Sequence, residues 1–136
     1  MTKNRFFPWR PEYSIDIPLI DAQHQILIGY IDELYASVEA KKQKEHTIEV
    51  VKKLKDYTDF HFGLEEKYFA QYGYVEEASH KAEHVLFVEK IVEFQNIIER
   101  NLPATFQILL FLKDWFSNHI MKNDRKYALV LKDKIV

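Results

Sequence analysis

Apolar residues recur in steps of three and four along four stretches of the chain. The first carries Ile20, His24, Leu27, Ile31, Leu34 and Val38, and the second Val50, Leu54, Tyr57, His61, Glu65, Tyr68 and Tyr72. The third carries His80, His84, Phe87, Ile91, Phe94 and Ile98, and the fourth Leu109, Leu112, Phe116 and His119. Such steps put each set on one face of a helix. They predict helices over about 18–40, 47–72, 76–100 and 103–122. Four such helices with short connections predict an all-α, up-down-up-down four-helix bundle, one domain over 1–136.

Breakers punctuate the pattern. Pro8, Pro11 and Pro18 make residues 1–17 an extended N-terminal arm. Gly73 is placed as a helix stop, and Pro103, after Asn101, as the start of the last helix. A tail from Lys126 to Val136 predicts a short helical turn. Gly29 and Gly63 fall inside helices, where each costs about 1 kcal/mol against alanine. Close helix approach, or room beside a site, would account for them.

Five of the six histidines lie on the apolar seams. Burying an unpartnered imidazole costs about 1–3 kcal/mol. Five such penalties would consume much of a small domain's stability of about 5–15 kcal/mol. In an antiparallel bundle the early His24, the late His61 and Glu65, the early His80 and His84 and the late His119 all fall toward one end. With 1.5 Å of rise per residue they come within about two or three turns of one another. His46 follows directly on the polar run Lys41–Glu45 and reads as solvated.

Composition narrows the chemistry. The chain of 136 residues has no cysteine, which removes disulfides, thiolate metal sites and iron–sulfur clusters. Its net charge of -2 makes nucleic acid a poor partner. No apolar run is long enough to insert in a membrane, and no secretory leader is apparent, so the cytoplasm is the expected location. Imidazoles and carboxylates without sulfur suit iron, manganese, zinc, copper or nickel. The pairs His61/Glu65 and His80/His84 each place two donors on one helical face. Asp124 is the natural second carboxylate, but on an ideal α-helix it points about 140° away from His119. It converges only if the helix frays or bends there, or if it approaches from another side. Seven donors exceed the need of one ion. With two bridging carboxylates and a bridging oxygen, three histidines complete one ion, and two leave the other with an open position.

The segments Asp-Ala-Gln-His at 21–24, His-Phe-Gly-Leu-Glu at 61–65, His-Lys-Ala-Glu-His at 80–84 and His-Ile-Met-Lys-Asn-Asp at 119–124 resemble the hemerythrins, particularly the bacterial single-domain type. The resemblance runs from Trp9 to Tyr127. It implies two iron ions with a bridging oxo or hydroxo group, and reversible binding of dioxygen. His80, His84 and His119 would hold one iron, His24 and His61 the other, and Glu65 and Asp124 would bridge them. Trp115, Phe116 and Ile120 resemble the family's apolar wall around bound oxygen, where a leucine is common at the position of Phe116.

The expected role is therefore an oxygen carrier or store, or delivery to an oxygen-consuming enzyme, rather than an enzyme in its own right. The alternatives are an oxygen or redox sensor, and a di-iron enzyme acting on peroxide or nitric oxide. A sensor would need a signalling module for which the chain has little room. Related di-iron oxygenases are richer in carboxylate, whereas these donors are richer in histidine.

Overall fold

The computed structural model describes residues 5–103 and 106–135. Helix α1 spans Pro18–Glu39, α2 Lys44–Tyr72, α3 Glu77–Glu99 and α4 Phe106–His119. A π-helical turn, Ile120–Asp124, joins α4 to α5, Arg125–Leu131, and no strand occurs among the described residues. Helix α1 packs against α2 and α4, α2 against α3, and α3 against α4, which closes the four-helix bundle.

The sequence pattern explains most of these boundaries. Pro18 starts α1 at a position where its missing N–H is no loss. Gly73 ends α2 at φ 62°, ψ 44°, in the left-handed region that favours glycine. The Tyr74 N–H then donates to the Phe69 carbonyl at 3.0 Å, and the two rings pack 5.0 Å apart. Asn101, at φ 59°, closes α3 in the same way and does not open the next helix. The expected helix start at Pro103 runs into residues 104–105, which lie outside the described residues. At its other end the fourth helix does not stop near 122 but continues through the π turn to Leu131.

The core follows the predicted seams, with one drift. Beyond Glu65 the buried side of α2 passes through Phe69, while Tyr68 and Tyr72 are only partly buried. Steps of four along a 3.6-residue helix accumulate that rotation. The arm is fixed to the bundle. Its residues Phe7, Tyr13, Ile15 and Ile17 are buried, and a 3-10 turn spans Pro11–Tyr13. Ser14 Oγ and the Ile15 N–H donate to the Asp21 carboxylate at 2.6 and 2.9 Å, and the Phe7 N–H donates to Asp32 Oδ1 at 2.6 Å. Close approach does not explain the helical glycines, since a Cβ at Gly29 or Gly63 would meet nothing within 4 Å. His46 is exposed in the first turn of α2, with Nδ1 3.1 Å from Ser37 Oγ.

Candidate metal centre

One end of the bundle gathers seven polar side chains. His24 comes from α1, His61 and Glu65 from α2, His80 and His84 from α3, His119 from α4 and Asp124 from the π turn. Each is at most 3% exposed. Every histidine turns Nε2 toward a carboxylate. The distances are 3.1 Å for His24, 3.0 Å for His80 and 3.1 Å for His119 to Asp124. They are 3.6 Å for His61 and 3.2 Å for His84 to Glu65 Oε1.

The π turn brings Asp124 into this group. In an α-helix residue i+5 lies far around the axis from residue i. The widened turn, with its i to i+5 hydrogen bond, returns it to the same side. The Arg125 N–H accordingly donates to the Ile120 carbonyl, and Asp124 Oδ1 comes 3.1 Å from His119 Nε2. The angular objection drawn from an ideal helix is thus met by a local change of helix type.

The seven residues divide into two overlapping donor sets. Glu65, His80, His84, His119 and Asp124 form one, and His24, His61, Glu65 and Asp124 the other, with the donor atoms of each set within 4.8 Å of one another. Both carboxylates belong to both sets. All five Nε2 atoms, Glu65 Oε1 and both Asp124 oxygens are buried without a hydrogen-bond partner. An unsatisfied buried polar atom costs about 1–3 kcal/mol. A fold of ordinary stability carries so many only if something else occupies the space between them. Nitrogen and oxygen lone pairs aimed at one another call for cations, so the donor set suits a non-haem metal centre.

Charge within the cluster follows from position. Burial disfavours a charged His61 ring and outweighs nearby Glu65, which lowers its pKa to about 4. Burial opposes charge on His119 as well, but the carboxylates of Asp124 and Glu83 prevail and raise it to about 10. Burial and Asp124 both work against ionisation of Glu65, yet the histidines around it hold its pKa down at about 2. Asp124 stays well below the ordinary carboxylate range, because His119, His24 and His80 outweigh its burial.

Several supporting residues had no signal in the sequence pattern. Tyr127, fully buried, donates from its hydroxyl to Glu65 Oε2 at 2.5 Å. Burial and Glu65 push that phenol well above its usual range. Gln23 accepts from His61 Nδ1 at 2.7 Å, and Glu66 from His84 Nδ1 at 2.8 Å. Phe62 lies flat on the His84 ring, with centroids 3.7 Å apart. Gln23 and Glu66 each neighbour a donor in the quoted motifs, but only the tertiary fold shows which ring each one meets.

The proposed wall residues lie beside the cluster. Phe116 is fully buried and meets the His24 ring edge-on at 5.5 Å. Trp115, partly buried, stacks on His119 at 4.5 Å, and Ile120 is fully buried at the start of the π turn. On the outer side an open groove of about 430 Å³, lined by Phe62, Gly63, Glu66, His84 and Val88 among others, reaches the back of His84.

Fold and donor set together define a four-helix-bundle protein whose buried cluster of carboxylates and histidines suits a metal centre. The Hemerythrin HHE cation binding domain model matches residues 16–130. The chain therefore belongs to the hemerythrin family. A bacteriohemerythrin of Clostridium acetobutylicum is 32% identical over 127 residues, covering 89% of this chain and 98% of that protein. One from Stenotrophomonas maltophilia is 29% identical over 120 residues, covering 88% of this chain and 78% of its own. A crystal structure of wild-type hemerythrin superposes with a TM-score of 0.85 at 26% identity, over 93% of this chain and 98% of that one. Among the described residues no helix is long and apolar enough to cross a membrane.

Proposed function

We propose that this chain binds dioxygen reversibly at a di-iron centre with a bridging oxo or hydroxo group. It would serve as a carrier, a store or a delivery partner for an oxygen-consuming enzyme. In this reading His80, His84 and His119 hold one iron, His24 and His61 hold the other, and Glu65 and Asp124 join them. The observation that carries it is the unequal division of one buried donor set around two shared carboxylates. The side short of one donor is where a small ligand would bind. When bound, the two irons would supply the electrons that dioxygen takes up and later returns.

The chain's own residues set the conditions for reversibility. Phe116 and Ile120 are fully buried, and Phe116 packs edge-on against the His24 ring, which would leave little room for water there. A dry, low-dielectric surrounding disfavours separation of a charged product from the site. Tyr127 donates to Glu65 Oε2 and fixes the orientation of that carboxylate. The donor set is rich in histidine, unlike the carboxylate-rich sites of bundle-type di-iron oxygenases, which favours binding over oxidation of a substrate.

Metal analysis with anaerobic reduction and re-oxygenation tests this. The expected result is two irons per chain and a visible charge-transfer band that returns with oxygen and leaves under vacuum. One zinc per chain, or no reversible band, overturns it. Steady turnover of peroxide or nitric oxide by the iron-loaded protein would assign an enzyme instead.

A further inference from the structure

The rings receive unequal support at the nitrogen that faces away from the cluster, and His80 Nδ1 has no protein acceptor among the described residues. With Nε2 turned inward, each Nδ1 carries the proton and needs an acceptor. On the three-histidine side, His84 Nδ1 donates to the carboxylate of Glu66 at 2.8 Å, while Phe62 covers the ring with its plane within 4° of parallel. His119 Nδ1 lies 3.6 Å from Glu83 Oε1, and Asn123 donates to Glu83 beside it at 2.5 Å. Trp115 stacks on that ring, with planes 13° apart.

On the two-histidine side the acceptors are weaker. His61 Nδ1 donates to the neutral amide oxygen of Gln23 at 2.7 Å, and His24 Nδ1 has no hydrogen-bond partner. The His24 ring meets Phe116 and His61 only at steep angles, 90° and 72°. A charged acceptor on Nδ1–H makes Nε2 a stronger donor and fixes the ring plane, and a neutral amide does less of both.

We propose that Glu66 is a positioning residue that makes the three-histidine position the tighter and first-filled of the two. The two-histidine position, supported only by a neutral partner, is then the one that exchanges its metal. This rests on the reading of the cluster as a two-metal centre. A third histidine also favours the same side, so the contribution of Glu66 is isolated by changing the acceptor and leaving every donor in place.

Anaerobic titration of the metal-free full chain with Co(II), followed by visible absorption and calorimetry, measures both steps. The parent is expected to bind two ions in two resolved steps. Glu66→Gln is expected to weaken the first step by about ten- to a hundredfold, the usual range for loss of such a partner, and to spare the second. Gln23→Ala is expected to weaken the second step and spare the first. A general loss of packing would move both steps and the helical circular dichroism together, and that outcome under Glu66→Gln overturns the inference. So does a change confined to the second step. A parent that binds fewer than two Co(II) ions overturns the two-metal reading itself.

Discussion

Loading the centre at neutral pH must expel a proton from His119. In the metal-free protein its pKa is raised to about 10, since the carboxylates of Asp124 and Glu83 outweigh the burial of the ring. A histidine must be neutral to ligate a metal. At pH 7 the ring sits about three pH units below that pKa, so removing its proton costs about 4 kcal/mol at 1.36 kcal/mol per unit. His61, lowered to about 4, is already neutral and adds nothing. The apparent affinity for the three-histidine position should therefore rise about tenfold per pH unit from pH 6 to 8, in addition to any other titration. Calorimetry in buffers of different ionisation enthalpy counts the protons directly. At least one proton per chain should be released with the first metal at pH 7. Release of well under one, or an affinity flat across that range, would refute the charge assignment to His119.

Other perturbations read different parts of the structure. The metal-free protein should be most stable near pH 6.5. His119, raised from 6.5 to about 10, contributes stability that is complete below 6.5 and is lost as pH rises through 10. His61, lowered to about 4, contributes stability that is complete above 6.5 and is lost as pH falls through 4. Urea midpoints across pH 4–10 check this, and a monotonic profile would contradict it. Tyr127→Phe leaves Glu65 Oε2 without its buried donor and should cost about 1–3 kcal/mol in the metal-free protein, read by denaturant unfolding. Phe116→Leu removes part of a fully buried ring beside His24 and should change the autoxidation rate or the oxygen affinity of the iron form. Identical values for both would remove Phe116 from the pocket.

The seams make the bundle and the five histidines legible in the sequence, because helical periodicity and the cost of buried imidazole are both local arguments. Six of the seven clustered residues sit at seam positions that such arguments reach. Asp124 lies off the seam of α4; its carboxylate made it a candidate, and the family motif answered the angular objection that a π turn removes. The acceptors behind the rings were out of reach for a different reason. Gln23 and His61 are 38 residues apart, and their hydrogen bond is a product of packing between α1 and α2. The tight arm was missed because prolines suggest extension but say nothing of whether Phe7 finds a place in the core.

The π turn also acts as a phase joint in the heredity of the chain. Upstream, the inward residues Leu109, Leu112, Phe116 and Ile120 keep one helical register; downstream, Asp124, Tyr127, Ala128 and Leu131 keep another. One extra residue between them reconciles the two. If the turn reverted to an α-helix with no residue removed, everything after it would rotate by about 100°. Asp124 and Tyr127 would then leave the bundle interior together, while the first four helices and all five histidines stayed in frame. The interval of five between His119 and Asp124 is therefore matched to the widened turn: with one residue fewer, an unbroken α-helix would be the form that turns the aspartate toward the cluster.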